Sequence, residues 1–308
     1  MPMGQAEYVG RFAPSPTGPL HFGSLVAALG SYLEARRYGG RWLLRLEDVD
    51  EPRCSAQAAD DILRTLEVCG FEWQRPVMAQ SERKERYREM LARLRSANGV
   101  FPCACTRQEL ADSALARDGA PIYPGTCRAG LPPGKEARAW RLRVDDETVG
   151  FDDAVQGNVS QALAREAGDF VLLRADGYFA YQLAVVVDDA DQGVTHVVRG
   201  ADLLDSTPRQ IYLQRRLGLP TPAYAHLPVA VNAAGEKLSK QTLAAAIDPR
   251  DPVPALFEAL RFLGQPLPPD ARRTTTTDFW AWAIAHWQLA RVPRVRALHP
   301  SAAILPAI

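Results

Sequence analysis

The sequence predicts an α/β protein whose core is a parallel β-sheet, and two observations support that class. Near the N-terminus, apolar segments at residues 8–13 and 41–47 flank an apolar helical stretch at 22–37, so that strand, helix and strand follow one another. A similar alternation of strand-like and helical segments returns between residues 170 and 231. The stretch between these two runs has a different character, which predicts a core interrupted by an inserted module.

The N-terminal elements follow from local signals. The first strand leads into a loop rich in proline and glycine at 14–19, and the helix that follows contains small residues that allow close packing. Gly39 and Gly40 are expected to end this helix, because glycine commonly stands just after a helix C-terminus. Two further segments, at 56–69 and 81–97, show the apolar spacing of amphipathic helices.

The inserted module begins near residue 101, where the chain gains three cysteines and many turn residues and loses its α/β pattern. Beyond it we predict strands at 170–174, 194–199 and 224–231, and helices at 181–188 and 206–217. The tail is expected to be helical and rich in arginine. The predicted divisions are 1–100 and 167–236 for the two halves of the core, 101–166 for the insertion, and 237–308 for a lysine-containing loop with the helical tail.

Composition limits the class of protein. Apolar residues make up 47% of the 308, which is too many for a disordered chain. The 36 basic and 36 acidic residues balance, which argues against nucleic-acid binding through overall charge but leaves room for a local basic face. The chain opens without a signal-peptide pattern and has no apolar run near the ~18 residues of a membrane helix. We therefore expect a cytoplasmic protein without membrane contact.

Charged residues stand at the predicted C-terminal ends of three strands, at Arg11, Glu47 and Arg199. In open parallel sheets, ligands bind in the crevice beyond those ends. One such residue alone would more often be a solvated strand terminus, but three with both signs of charge favour a zwitterionic ligand. Arginine can bind a carboxylate through paired hydrogen bonds, and Glu47 can accept from an ammonium group.

The loop after the first strand delivers His21 and Gly23 to the start of a helix. Helix N-termini attract phosphate through unpaired N–H groups, and glycine allows a nucleotide to approach the backbone. A lone His-x-Gly is more often structural, so a second signal matters. Only four of the 36 basic residues are lysines, and two of these, Lys237 and Lys240, lie three positions apart. Chance clustering is the alternative, but the pair indicates a need for compact ammonium charges.

Cys103, Cys105 and Cys127 form a third signal, because thiolates at such spacing suggest a zinc site. The alternative is three ordinary reduced cysteines. A tetrahedral site needs a fourth ligand, yet the chain has no histidine between His21 and His196. The open choices for that ligand are Tyr123, Glu109, Asp112 and water.

Read together, these stretches resemble the class I glutamyl-tRNA synthetases. Residues 11–18 with 20–23 are similar to the "HIGH" region of that family, and residues 237–241 are similar to its "KMSKS" loop. Residues 44–53 and 198–203 also match, so that the likeness covers essentially the whole chain before its tail. It is strongest for a shortened branch, the glutamyl-queuosine tRNA(Asp) synthetases. The resemblance implies a Rossmann-type class I core, a zinc-bearing insertion and a small C-terminal helical region.

The resemblance also implies roles for individual residues. The residues implied to line the glutamate site are Arg11, Phe12, Ala13, Pro14, Ser15, Glu47, Tyr181 and Arg199. Those implied to contact ATP are His21, Gly23 and Lys240, and those implied to act in catalysis, by steadying the triphosphate as pyrophosphate leaves, are His21, Lys237 and Lys240. The implied zinc ligands are Cys103, Cys105, Tyr123 and Cys127, in one structural site per chain. Two positions depart from the family pattern, with Ser24 in place of the last "HIGH" histidine and Gln241 at the last "KMSKS" position.

The activity implied is activation of L-glutamate by ATP, with Mg²⁺ and without tRNA, followed by transfer of glutamate to queuosine at the wobble position of tRNA(Asp). Only 67 residues follow Gln241 in the chain of 308, so we expect no full anticodon-binding region and a monomer that binds the anticodon stem-loop alone. Two alternatives stay open: the catalytic part of an ordinary glutamyl-tRNA synthetase, and a non-enzymatic RNA-binding paralogue. Loss of His21, Arg199 or Lys240 would favour the paralogue, and all three are present.

Overall fold

The computed structural model describes residues 7–238, 247–270 and 274–300. The first half of the chain forms β1 (Val9–Phe12), α1 (Phe22–Arg37), β2 (Arg41–Leu46), α2 (Ala56–Val68), β3 (Gln74–Ala79) and α3 (Lys84–Ser96). The middle contains β4 (Val100–Cys103), β5 (Ala139–Leu142), β6 (Thr148–Asp153), β7 (Gly157–Ala162), α4 (Leu163–Glu166) and β8 (Val171–Leu173). The remainder contains α5 (Tyr181–Asp191), β9 (His196–Gly200), α6 (Thr207–Leu217), β10 (Ala223–Leu227), β11 (Val229–Ala230), α7 (Val253–Phe262), α8 (Thr276–His286) and β12 (Ala297–Leu298).

Parallel strands from both halves of the chain form the centre of the molecule. β2 lies between β1 and β3, and β10 lies between β9 and β6, with parallel pairing throughout. The Thr195 N–H, one residue before β9, donates to the Val9 carbonyl at 3.0 Å and brings β1 beside β9. The C-terminal ends of these strands therefore meet at one edge. The predicted α/β class with a parallel core is confirmed.

Helix α1 is the central packing element against this sheet, and its bounds are those predicted. Leu25 and Leu29 are fully buried in it, each a contribution of about 1.5–3 kcal/mol from burial. Gly30 allows a close approach of β10, because a Cβ there would lie 2.5 Å from a methyl carbon of Leu227 and would force that side chain to shift. The helix ends as predicted, with Gly39 in the left-handed conformation at a φ of 61°.

Several predicted elements differ from the structure at their ends. A 3-10 helix over Gln80–Arg83 precedes α3, and another over Ala201–Ser206 precedes α6. The strand predicted at 224–231 is broken into β10 and β11, because Pro228 has no N–H with which to continue the ladder. β11 pairs instead with β12. The tail is thus helical at α7 and α8, as predicted, but returns to the core as a short strand.

The middle of the chain contributes two separate structures. β4, β5 and β8 form an antiparallel sheet, beside a small buried cluster that includes Phe101, Cys103 and Tyr123. β6 and β7 form a hairpin, and Asp153 at the end of β6 pairs with Tyr224 of β10, so that the hairpin extends the central sheet. The predicted division of the chain into its four parts stays a prediction. Among the helices of the described residues, none has the length and apolar character needed to cross a membrane.

Candidate active site

A cavity of about 970 Å³ opens at the C-terminal edge of the central strands. It brings together residues from β1, the start of α1, the end of β2, α5, β9 and the segment after β11. The predicted site residues that line it are Arg11, Phe12, Ala13, Pro14, Ser15, His21, Gly23, Glu47, Tyr181, Arg199 and Lys237. Lys240 and Gln241 lie outside the described residues. The position of the cavity is the one at which parallel α/β sheets bind their ligands.

A buried network of two cations and two anions supports one wall of the cavity. Arg11 Nε lies 3.2 Å and Arg45 Nη2 lies 2.8 Å from Asp189 Oδ1, and Arg45 Nη2 lies 3.2 Å from Glu47 Oε1. Burial alone would raise the pKa of Asp189, but Arg11 and Arg45 outweigh burial and lower it. For Glu47 the balance is reversed, because burial raises its pKa in spite of the two arginines. A ligand ammonium group near Glu47 would favour its carboxylate form.

Arg199, near the end of β9, is held along most of its guanidinium by protein acceptors. Its Nε donates to His226 Nε2 at 3.0 Å, and its Nη2 donates to the Thr207 hydroxyl and the Gln210 amide oxygen, both at 2.8 Å. Its Nη1 lies 3.4 Å from the Tyr181 hydroxyl. A carboxylate that enters the cavity therefore meets Nη1 together with Tyr181. Paired hydrogen bonds from two nitrogens of Arg199 would require its side chain to rearrange.

The start of α1 carries the predicted phosphate-binding features. His21 is the N-cap residue, and its Nδ1 accepts from the Ser24 N–H at 3.4 Å, while the Ser24 hydroxyl lies 3.1 Å from Nε2. Ser24, a departure from the family pattern, thus contacts the imidazole directly. Position 23 has little room for a residue larger than glycine, since a Cβ on Gly23 would lie 3.3 Å from the Leu238 carbonyl oxygen. The lysine-containing segment therefore passes close to the helix start.

Lys237 stands at the rim of the cavity on a short hairpin. Its Nζ lies 2.5 Å from Asp202 Oδ2, and both side chains are partly exposed. Val231 and Lys237 form an antiparallel bridge, and the Leu238 N–H donates to the Ala230 carbonyl at 2.7 Å. Because exposed ion pairs contribute only about 0–1 kcal/mol, a phosphate group would compete effectively with Asp202 for this lysine.

The three cysteines predicted to bind a metal come together in the insertion. Their sulfur atoms all lie within 4.8 Å of one another, and Cys105 Sγ lies 3.7 Å from Cys127 Sγ. The Tyr123 hydroxyl lies 3.5 Å from both Cys103 Sγ and Cys105 Sγ. Tetrahedral zinc, with ligands at about 2.0–2.3 Å, separates two sulfurs by roughly 3.8 Å and a sulfur from an oxygen by roughly 3.5 Å. The donor set fits a zinc ion.

The surroundings of Cys103 favour its thiolate form. Arg141 Nε lies 3.3 Å from Cys103 Sγ, and its guanidinium carbon lies 4.1 Å from the centre of the Tyr123 ring. Burial alone would raise the pKa of Cys103, but its hydrogen bonds with Tyr123 and Arg141 lower it. Glu109, an alternative fourth ligand from the sequence, accepts instead from the Thr106 N–H at 2.7 Å. The structure thus places Tyr123 beside the cysteines and gives Glu109 another partner.

The sequence of this chain is similar to those of known tRNA synthetases. Residues 7–268 match the sequence model of the tRNA synthetases class I (E and Q), catalytic domain. The glutamyl-Q tRNA(Asp) synthetase of Aromatoleum aromaticum is 63% identical over 287 residues, which cover 93% of this chain and 91% of that protein. The corresponding protein of Dechloromonas aromatica is 62% identical over 291 residues, which cover 94% of this chain and 97% of that protein. The chain belongs to the glutamyl-Q tRNA(Asp) synthetases.

Solved structures agree with this membership at the level of the fold. The glutamate tRNA ligase from Elizabethkingia meningosepticum superposes with a TM-score of 0.78 at 24% identity, covering 96% of this chain and 68% of that one. The glutamate-tRNA synthetase from Elizabethkingia anophelis gives a TM-score of 0.75 at 24% identity, covering 97% and 69%. This member of the glutamyl-Q tRNA(Asp) synthetases therefore has the class I synthetase fold. The resemblance seen in its sequence motifs is confirmed.

Sequence reasoning did not find every residue that supports the site in this glutamyl-Q tRNA(Asp) synthetase. Arg45, Asp153, Asp189 and His226 were not predicted, yet each is buried and contacts a predicted residue or its partner. For Arg45, Asp189 and His226 the available signal was a polar residue in or beside a segment that otherwise reads as an apolar strand or helix, while Asp153 lies in the predicted insertion and carried no such signal. A buried charge requires a partner, but the sequence does not say which residue that partner is.

Proposed function

We propose that this protein uses ATP to activate glutamate and transfers the glutamyl group to queuosine at the wobble position of tRNA(Asp). The observation that carries the proposal is a single cavity that joins side chains suited to a zwitterion with the N-terminus of a helix. Arg11, Glu47 and Arg199 offer both signs of charge to an amino acid. The start of α1 offers the positive end of a helix to phosphate. The names of the related proteins supply glutamate and tRNA(Asp) as the substrates.

In the first step, one carboxylate oxygen of glutamate attacks the α-phosphorus of ATP. The bond from that phosphorus to the α–β bridging oxygen breaks, so that glutamyl-adenylate and pyrophosphate form. Glu47 accepts from the ammonium group of glutamate, while Arg199 and Tyr181 bind a carboxylate. His21, with Lys237 and Lys240, stabilises the negative charge that collects on the phosphate oxygens. ATP enters as its Mg²⁺ complex.

In the second step, a hydroxyl of the queuosine diol attacks the carbonyl carbon of the adenylate. The bond between that carbon and the phosphate oxygen breaks, AMP leaves, the hydroxyl proton goes to solvent, and an ester remains on the modified base. The step requires the wobble nucleotide to project into the cavity, which an anticodon loop permits because its bases can be unstacked. Contacts from surface arginines to phosphates would make binding of the stem-loop weaken as salt increases.

We also propose one structural zinc ion in the insertion, bound by Cys103, Cys105, Cys127 and Tyr123. The buried apolar cluster around this site is small. Apart from the proposed ligands, its largest side chain is Phe101. A bound metal supplies folding free energy that so small a core lacks. Coordination to zinc would also lower the pKa of the thiols and of the phenol, so that all four ligands would bind as anions.

Labelled glutamate tests the proposed acceptor. The protein is incubated with ATP, labelled glutamate and tRNA(Asp) that either carries or lacks queuosine, and the nucleotides are separated after nuclease digestion. We expect label on an anticodon-loop nucleotide, and only in the modified tRNA. Label at the 3′ end, or equal labelling of both preparations, would favour an ordinary glutamyl-tRNA synthetase. Absence of both labelling and pyrophosphate exchange would favour a non-enzymatic RNA-binding protein.

A further inference from the structure

The guanidinium of Arg199 contacts a buried histidine that has no role in either proposed step, the activation of glutamate or its transfer. His226 lies in β10, is 0% exposed, and places its Nε2 3.0 Å from Arg199 Nε. Its other ring nitrogen, Nδ1, lies 2.6 Å from Asp153 Oδ2. A row of three side chains, Asp153, His226 and Arg199, thus runs from the β6–β7 hairpin through β10 to the wall of the cavity.

The donors and acceptors in this row allow one arrangement of protons. Arginine has no acceptor atom, so Arg199 Nε–H must donate and His226 Nε2 must be unprotonated. The imidazole proton therefore sits on Nδ1, where it is donated to the Asp153 carboxylate. The Thr207 hydroxyl, 3.1 Å from His226 Nε2, accepts from Arg199 Nη2 at 2.8 Å and donates its own proton to the Leu203 carbonyl at 3.2 Å. The single lone pair of Nε2 is therefore used by the N–H of Arg199 Nε.

Asp153 is oriented by the turn between β6 and β7. Its Oδ1 accepts the backbone N–H groups of Val155 at 3.0 Å, Gln156 at 2.8 Å and His226 at 3.0 Å. Oδ2 is thereby left for the ring of His226. Gln156 also donates from Nε2 to the His226 carbonyl at 2.8 Å, so the hairpin holds both the backbone and the ring of this residue.

We propose that His226, oriented by Asp153, is a positioning residue that sets the guanidinium of Arg199 for binding a glutamate carboxylate. This inference rests on the proposed function, because it takes glutamate as the ligand of Arg199. A free arginine side chain has many rotamers, and ordering one on binding opposes affinity. Holding Arg199 in place before the substrate arrives removes that cost from the binding step.

The arrangement depends on a neutral imidazole. The charged groups that act most strongly on His226 are Asp153 from β6, Arg199 from β9 and Asp202 just after β9. Burial lowers the pKa of His226 to about 4, and Arg199 acts in the same direction, while Asp153 and Asp202 oppose the shift. A second ring proton would stand on Nε2 and direct both a donor and a positive charge at Arg199. At neutral pH, Nε2 therefore stays an acceptor.

The competing interpretation is that His226 only stabilises the fold and does not position Arg199 for glutamate. The substitution Asp153→Asn distinguishes these two interpretations. The three backbone N–H groups keep the amide oxygen of the new side chain at the Oδ1 position, so its NH₂ takes the Oδ2 position and donates to Nδ1. The ring proton must then move to Nε2, where it opposes the N–H of Arg199. The substitution changes the direction of the hydrogen bonds with almost no change in shape.

The first measurement compares wild type, Asp153→Asn and the matched control Asp152→Asn. Asp152 is the exposed neighbour in the same hairpin, and its Oδ1 accepts from Asn158 Nδ2 at 3.0 Å. Nitrogen-15 NMR of labelled histidine reports which ring nitrogen carries the proton, and His226→Gln identifies the signal. We expect a protonated Nδ1 in wild type and control, and a protonated Nε2 in Asp153→Asn. A wild type protonated on Nε2, or a tautomer that Asp153→Asn does not change, would overturn the assignment.

The second measurement is glutamate-dependent ATP–pyrophosphate exchange. We expect Asp153→Asn to raise the KM for glutamate by about tenfold or more, while the KM for ATP stays within about twofold. Equal changes in both constants, or a glutamate KM equal to that of Asp152→Asn, would overturn the positioning role. If Asp153→Asn does not fold, His226→Gln and His226→Leu decide: the glutamine amide oxygen can accept from Arg199, so only the leucine variant should lose glutamate affinity. A wild type without any exchange would instead count against the proposed function, while the NMR result still tests the row itself.

Discussion

Replacing Arg199 by leucine tests the candidate site most directly. The arginine is 5% exposed, and its guanidinium donates to His226, Thr207 and Gln210. Leucine fills part of the same volume but donates no hydrogen bond, so these buried acceptors lose their partner. A glutamate carboxylate in the cavity loses its cation at the same time. The variant should therefore weaken both glutamate activation and the folded protein.

Both effects have an expected size. A hydrogen bond to a charged group contributes about 1.5–3 kcal/mol, and about 1.4 kcal/mol corresponds to a factor of ten, so kcat/KM for glutamate should fall by roughly 10- to 150-fold. Each buried acceptor left without a donor costs about 1–3 kcal/mol, so the free energy of unfolding should also decrease. Arg199→Lys keeps the positive charge but cannot donate hydrogen bonds to His226 and Gln210 together. Its kcat/KM for glutamate and its free energy of unfolding should therefore lie between those of the wild type and Arg199→Leu.

The assay is ATP–pyrophosphate exchange, with glutamate varied at saturating ATP and then ATP varied at saturating glutamate. Chemical denaturation establishes that Arg199→Leu is folded under the assay conditions. Arg88→Leu is the matched control, because Arg88 is exposed on α3 and pairs only with Glu85 among the described residues. The KM for ATP should stay near its wild-type value in both variants. An unchanged KM for glutamate in Arg199→Leu would refute the assignment and leave Arg199 as a structural residue of β9.

Three further predictions follow from other parts of the molecule. Elemental analysis should find about one zinc per chain, reduced by Cys103→Ser or Cys105→Ser but not by Cys54→Ser; equal metal in all variants would contradict the site. Lys240→Ala should slow glutamate-dependent pyrophosphate exchange at least about tenfold, or about 1.4 kcal/mol, and full activity would remove Lys240 from the mechanism. The pKa of His226, about 4 in the folded protein against 6.5, predicts that the free energy of unfolding decreases as the pH falls from 6.5 to 4, by about 3 kcal/mol. His226→Gln should lack that component, so the same pH dependence in both proteins would show that another group causes it.

Local signals were sufficient to predict much of the fold and the position of the site. The apolar stretch of α1 and the glycine at Gly39 are close in sequence, and the helix has the predicted bounds. Arg11, Glu47 and Arg199 were expected to share a ligand, because the C-terminal ends of parallel strands meet at one edge. All three line the cavity. Their roles toward glutamate stay predictions, since location alone does not measure binding.

The spacing of residues in the sequence did not show which side chain lies beside the three cysteines as the candidate fourth zinc ligand. Tyr123 and Glu109 were both compatible with the spacing of the three cysteines, because short segments can fold to bring either one near. In the structure the Tyr123 hydroxyl lies 3.5 Å from two of the sulfurs, while Glu109 accepts from Thr106. A ligand set is decided by distances of a few tenths of an ångström, which spacing along the chain does not encode.

The sequence by itself determined which chemical groups this protein has and at which edge of the sheet the ligand-facing ones stand. Only the tertiary structure decided which groups hold them there. Asp189 reaches Arg11 across 178 positions, and Asp153 reaches His226 across 73. Burying a charge is unfavourable unless a partner is placed within hydrogen-bonding distance, and that partner comes from whichever element packs alongside. Packing between remote elements leaves no local pattern in the chain, which is why the strand ends could be predicted and their buried partners could not.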